Sequence, residues 1–203
     1  MLAPLALGAL YAGSWPFALL VAVFLAAGAW EWMRLCGSSP SFLAVGLVVL
    51  AVAGAALIWI ERESGTSAVL WLFGVVWATD IGAYAAGSLL RGPRIAPSIS
   101  PRKTWAGLCG GIAFAVAWSF AWGRYFVPPE AYFVDLIVGL AAAGAVVAQT
   151  GDFALSFAKR RFGVKDSSGL IPGHGGVLDR IAGLLTTAPA LALLLLLEST
   201  RHQ

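Results

Sequence analysis

Asp152, Ser156 and Lys159 are spaced i, i+4 and i+7 in the stretch QTGDFALSFAKRRFG, so on a helix they fall along one face. A carboxylate, a hydroxyl and an ammonium in one stripe suit a charged, oxygen-rich ligand. Gly163 then interrupts the helical pattern and KDSSGLIPGHGG follows, so the fifteen residues from Gly163 to Val177 hold five glycines and one proline. Glycine at that density lets backbone approach a ligand closely, and N–H groups in such turns, followed by a helix start, form a cradle for phosphate. The next helix is predicted to begin near Val177, with Asp179 and Arg180 in its first turn. Asp179 at that place also complements the helix dipole. As a set, carboxylates on both sides of a basic, glycine-rich loop suit a hard divalent cation such as Mg²⁺, which takes one or two carboxylates plus substrate phosphates. Lys159, Arg160, Lys165 and Arg180 would then answer the phosphate oxygens that the cation does not reach.

The elements that must position these groups are apolar. The chain has 203 residues, 60% hydrophobic and 11% charged, where a soluble domain carries roughly 25% charged residues. No Asp, Glu, Lys or Arg occurs in residues 1–30, 35–60, 104–123 or 181–197, and about 20 mainly apolar residues suffice for a helix to cross the hydrocarbon core. Spans are predicted over Pro16–Met33, Phe42–Ile60, Ala68–Leu90, Trp105–Tyr125, Phe133–Gly151 and Val177–Leu197, with a shorter apolar stretch at Leu2–Ala12. The expected fold class is all-α, a polytopic transmembrane helical bundle of about six to seven spans, forming a single integral-membrane domain over residues 1–203. No Lys or Arg precedes Arg34, so the first apolar stretch lacks the basic start of a cleaved signal peptide and is read as retained. Cys36 and Cys109 lie far apart with no CxxC pattern and are expected to be small core residues.

Eight of the thirteen Lys and Arg residues fall in two connections: Arg91, Arg94, Arg102 and Lys103, then Lys159, Arg160, Arg161 and Lys165. The positive-inside rule puts both on the cytoplasmic side, and the two spans between them agree in parity. The acidic connection Glu61-Arg62-Glu63 then falls outside. Basic loops of this kind also serve simply as topology signals in contact with anionic lipid head groups. The bilayer is thus an expected partner, and no nucleic acid is. Ionisable residues inside spans cost several kcal/mol and need a polar cavity or a partner. Glu31 in AWEWMRL has Arg34 at i+3, so an intrahelical ion pair accounts for it. Asp80 in WATDIGAYAAG is followed by Gly82, Ala83, Ala85, Ala86 and Gly87. Close helix packing explains those small residues but not the carboxylate.

The string SFAKRRFGVKDSSGLIPGHGGVLDR resembles the C-terminal signature of the phosphatidate cytidylyltransferases, also called CDP-diacylglycerol synthases. WATDIGAYAAG followed by SISPRKTWAG is similar to that family's Asp-containing span and its Ser-Pro-basic-Lys-Thr-Trp segment, so the resemblance covers residues 77–111 and 149–183. It implies a homodimeric enzyme of the inner (plasma) membrane, its site facing the cytoplasm, that joins CTP to phosphatidate with Mg²⁺ and releases pyrophosphate. The resemblance implies Asp152 and Asp179 as the Mg²⁺ ligands, the same two carboxylates that flank the loop. Catalytic roles are implied for Lys159, Lys165, Asp166, His174 and Arg180, although His174 is equally suited to a structural hydrogen bond. Substrate contacts are implied for Asp80, Ser100, Arg102, Lys103, Thr104, Ser156, Arg160, Gly175 and Gly176.

Two positions depart from the family pattern. Leu155 stands three residues after Asp152 and Ala182 three after Asp179, where relatives carry Glu and Asp. Each lies about one helical turn from an implied ligand, so their loss points to a higher Mg²⁺ requirement or to a member with impaired turnover. The chain is also expected to lack a first span that typical members have. A CTP-dependent polyprenol kinase is the nearest alternative, and the full KDSSGLIPGHGGVLDR string favours the cytidylyltransferase. A transporter is disfavoured, because no pair of interrupted segments recurs in corresponding halves.

Overall fold

The computed structural model describes residues 2–37, 39–127, 134–171, 173 and 175–201. His174 lies outside the described residues, as does Phe133, the first residue of the fifth predicted span. The elements in chain order are α1 (Leu2–Tyr11), α2 (Ser14–Cys36), α3 (Pro40–Leu90), β1 (Arg94–Ala96), β2 (Ser100–Thr104), α4 (Trp105–Phe126), α5 (Val134–Arg161) and α6 (Leu178–Arg201). Five of the helices, α2 to α6, are long and apolar enough to cross a membrane. At ten residues, α1 is too short to span by itself.

Helix α3 runs for 51 residues, roughly 77 Å if it were straight, more than twice a hydrocarbon core. Gly65 interrupts it with φ 76° and ψ 177°. Open space surrounds the place of a Cβ there, so the positive φ, which glycine alone adopts freely, is what the position requires. The chain turns at Gly65 so that Ala56 and Ile60 before it and Val69, Leu72 and Phe73 after it enter one core, with Leu10, Phe17 and Ala188. The two predicted spans on either side of Glu61-Arg62-Glu63 are thus the two parts of α3.

The second part of α3 lies against α4 nearly backbone to backbone. A Cβ on Gly82 would stand 2.4 Å from the Gly110 carbonyl oxygen, and one on Gly107 would stand 2.9 Å from that of Ala83. Small residues permit such an approach, and it carries Asp80 up to the chain entering α4. That entry is a small antiparallel hairpin with Arg94 opposite Thr104 and Ala96 opposite Ser100, which with an isolated bridge between Ile171 and Gly175 departs from an all-α chain. Thr104 ends the hairpin and caps α4, its Oγ1 accepting the Gly107 N–H at 3.0 Å, which fixes Lys103 one residue before the cap. On the other side, α5 meets α6 closely enough that a Cβ on Gly151 would lie 2.5 Å from the Ala182 carbonyl oxygen. Helix α5 continues to Arg161, ten residues beyond the predicted span end at Gly151, and so carries Asp152, Ser156 and Lys159 on regular helix.

Candidate active site

Two polar assemblies lie where these elements meet. The first is a cavity of about 260 Å³ lined by Asp80 from α3, Ser100, Arg102 and Lys103 from the hairpin, and Gln149 and Asp152 from α5, with Thr104 at its edge. Lys103 is the link across it. Its Nζ donates to Asp152 Oδ2 at 3.0 Å and to Gln149 Oε1 at 3.0 Å, and it stands 4.6 Å from the centre of the Phe153 ring. The Lys103 and Asp152 side chains remain 21% and 28% exposed, so solvent and ligand reach both. Asp80 is within electrostatic reach of Asp152, Lys103 and Arg180.

The second assembly is the folded glycine-rich loop. Lys159 pairs with Asp179 Oδ1. The other Asp179 oxygen accepts the Ser167 N–H at 3.0 Å, the Ser167 hydroxyl at 3.0 Å and the Gly176 N–H at 3.2 Å. The second carboxylate in this assembly is Glu31. It does not pair with Arg34, whose guanidinium lies 4.8 Å over the Trp30 ring. Glu31 is fully buried and accepts the Val177 and Leu178 N–H groups, each at 2.8 Å, with the hydroxyls of Ser167 at 2.9 Å and Ser168. The local i+3 partner seen in the sequence loses to four donors from the other end of the chain, two of them at the positive end of α6. Sequence reading missed Glu31 as a partner of this loop. The available signal was a carboxylate between two tryptophans in an apolar helix, which needs partners, and the local Arg34 was an adequate one.

The remaining candidates are distributed around these assemblies. Gln149, the second acceptor of Lys103, carried no motif and was missed. Arg160 donates to the Ile99 carbonyl at 3.3 Å and the Val164 carbonyl at 3.1 Å, tying the hairpin tip to the end of α5. Lys165 and Asp166 are exposed on the loop, and Ser156 is half-buried on α5. Arg180 is among the residues lining an apolar cavity between α1, α2, α3 and α6. Gly175 has φ +81° with Asp179 Oδ2 3.2 Å from the place of its Cβ. Leu155 and Ala182 are 8% and 3% exposed and share one apolar cluster with Trp32, Cys36, Leu50 and Leu178.

The donor sets differ in what they could offer a hard cation. Asp152 and Asp80 face an open polar cavity and leave carboxylate oxygens for a cation that also takes phosphate and water, which is how Mg²⁺ is usually held. Both oxygens of Asp179 are engaged by an ammonium and three hydrogen-bond donors. Among the described residues no three His, Cys, Asp or Glu side chains gather as a ready cation cage. The residues present therefore fit a cation that arrives with a phosphate ligand, at Asp152.

Five helices long and apolar enough to cross a membrane, with a polar cavity between α3, the hairpin and α5, define a multi-pass helical membrane protein. The chain belongs to the cytidylyltransferase family, whose sequence model matches residues 37–197. It is 46% identical over 133 residues to a phosphatidate cytidylyltransferase of Brucella suis biovar 1, an alignment covering 66% of this chain and 48% of that one. It is 38% identical over 166 residues to the phosphatidate cytidylyltransferase of Rickettsia bellii, covering 79% and 72% of the two chains. The chain spans about half the length of the Brucella relatives it matches.

Proposed function

We propose that this chain is a phosphatidate cytidylyltransferase, converting CTP and phosphatidate to CDP-diacylglycerol and pyrophosphate for phospholipid synthesis. The observation that carries the reading is the Asp80–Lys103–Asp152 cavity, built from the two segments that resemble the family's motifs, in a chain related to proteins of that name. The protein crosses the inner membrane about six times, since five long helices become six when α3 is counted twice across Gly65. The two basic segments face the cytoplasm, where CTP is available. A homodimer is the assembly the family resemblance supports.

In the reaction a phosphatidate phosphate oxygen attacks the α-phosphorus of CTP in line. A new P–O bond forms, the bond from the α-phosphorus to the bridging oxygen breaks, and pyrophosphate leaves with that oxygen. A phosphate monoester is largely ionised near neutral pH, so the nucleophile needs no strong base, and the work is charge neutralisation and positioning. Mg²⁺ held at Asp152, with Asp80 across the cavity, would supply charge for the triphosphate. Lys103, 21% exposed in this cavity, would exchange Asp152 for a phosphate oxygen as substrate enters. Arg102, beside it in the same cavity, supplies a guanidinium suited to phosphate.

Purified protein given radiolabelled CTP and phosphatidate should form CDP-diacylglycerol with Mg²⁺ and none with a chelator. No product at any Mg²⁺ concentration would overturn the assignment. A second reading, a member that binds CTP without turning it over, is favoured by the apolar burial of Leu155 and Ala182. CTP binding in the absence of product would establish it. Formation of a polyprenyl phosphate instead would identify the kinase alternative.

A further inference from the structure

The first N–H groups of a helix are a ready anion site, and in this chain the two where α6 begins, of Val177 and Leu178, are taken by the protein itself. Val177 N and Leu178 N donate to the two oxygens of Glu31, while Ser167 N and Gly176 N donate to Asp179. Gly176 shows how closely the loop closes on this carboxylate. A Cβ there would stand 2.6 Å from both Glu31 oxygens and 1.9 Å from Ser167 Oγ, so the glycine admits Glu31 where the sequence pattern suggested a phosphate. The Ser167 hydroxyl also lies between Glu31 and Asp179, 2.9 Å from one and 3.0 Å from the other. Glu31 is thereby connected to the Lys159–Asp179 pair.

We propose that Glu31 is a positioning residue that stands in for a phosphate at the start of α6. It fixes the loop and, through Ser167, the Asp179–Lys159 pair, so that nucleotide phosphates are received in the Lys103 cavity instead. This rests on the cytidylyltransferase reading above. Glu31 touches no substrate; it acts from α2, 136 residues before Ser167, by holding the groups that border the reacting centre.

Three measurements on the full chain in lipid nanodiscs test it. Hydrogen–deuterium exchange reads the anchor: Glu31→Ala should speed exchange at Val177 and Leu178 by about tenfold or more while α3 and α4 keep their protection. Unchanged exchange there would overturn the proposal. Equilibrium binding of CTP reads where the phosphates go. Glu31→Ala should hold the Kd within about threefold, whereas Lys103→Met should raise it about tenfold or more. An equal loss in Glu31→Ala would show that CTP binding depends on Glu31, and a Kd lowered about threefold or more would place the phosphates at the freed N–H groups of α6; either would overturn the assignment, as would absence of CTP binding by the unsubstituted chain. Turnover reads positioning: kcat should fall about tenfold with KM for CTP within about threefold. Unchanged kcat would leave Glu31 a packing role alone and refute positioning. Should Glu31→Ala fail to fold, Ser167→Ala with Ser168→Ala, which removes the two hydroxyl donors and leaves Glu31 in place, carries the same measurements in the same directions. A chain that binds CTP yet forms no CDP-diacylglycerol would refute the proposed activity, and exchange and binding would still decide the role of Glu31.

Discussion

Asp152 and Asp179 are each one helical start or stripe away from a lysine, yet their surroundings are opposite. Asp152 shares one oxygen with Lys103 at 3.0 Å and keeps 28% of its side chain exposed in an open cavity. Asp179 is 11% exposed, with one oxygen on Lys159 and the other on Ser167 and Gly176. A carboxylate whose lone pairs are filled by fixed donors stabilises a loop. One with free lone pairs in a wet cavity can take a cation or exchange its partner. The same residue type thus keeps free lone pairs in an open cavity in one assembly and has them filled by the loop in the other.

The comparison breaks first at Asp152. Asp152→Asn preserves shape but removes the charge that holds Lys103 and would hold Mg²⁺. Product formation should fall by about 100-fold or more, equivalent to roughly 3 kcal/mol of transition-state stabilisation, with the melting temperature little changed. Near wild-type turnover at limiting Mg²⁺ would show that the cavity is not the reacting centre.

A buried apolar position sharpens the contrast. Leu155 lies in the cluster with Trp32, Leu50 and Leu178, only one helical turn from Asp152. Leu155→Glu would put a carboxylate into that cluster without a matched donor, so it should destabilise the chain by about 3 kcal/mol. Thermal unfolding would register the loss. An unchanged melting temperature would mean that the position opens toward the polar cavity of Asp152.

Much of this was legible in the sequence where the partners are local. The i, i+4, i+7 stripe of Asp152, Ser156 and Lys159 needed only the helical period, and α5 carries it as regular helix to Arg161. The small residues after Asp80 announced close packing, and Gly82 against Gly110 realises it. What stayed hidden depends on partners distant in sequence. Glu31 had an adequate neighbour in Arg34, and nothing local indicated that its donors lay beyond residue 166. Lys103 and Asp152, 49 residues apart, each read as a phosphate or metal ligand, and their mutual ion pair needed the fold. The glycine pair after His174 signalled close approach correctly, but pattern alone could not say that a side chain rather than a phosphate approaches.

Asp179→Asn tests the architectural member of the pair. The amide can satisfy either Lys159 or the donors from Ser167 and Gly176, not both sets, so one group of donors is left facing another. About 2 kcal/mol of stability should be lost, together with faster exchange in the loop and a drop in turnover smaller than that of Asp152→Asn. If turnover instead fell as far as in Asp152→Asn while stability held, Asp179 would be a cation ligand in the working enzyme and the contrast between the two aspartates would vanish on substrate binding.

The smallest expected effect belongs to Arg160, and it separates basic residues that meet phosphate from those that brace the chain. Arg102 lines the cavity with Lys103, whereas Arg160 donates to the carbonyls of Ile99 and Val164 from an exposed position at the end of α5. A guanidinium engaged with two backbone oxygens holds the hairpin tip in place, and solvent can replace most of that contribution. Arg160→Gln should therefore change KM for CTP and for phosphatidate by less than about threefold, while Arg102→Gln should raise one of them by about tenfold or more. Steady-state kinetics of the two variants, with each substrate varied in turn at fixed Mg²⁺, gives the comparison directly. Equal losses would mean that Arg160 turns from the hairpin to the phosphates when substrate enters, and the polar site would then extend from the cavity to the end of α5.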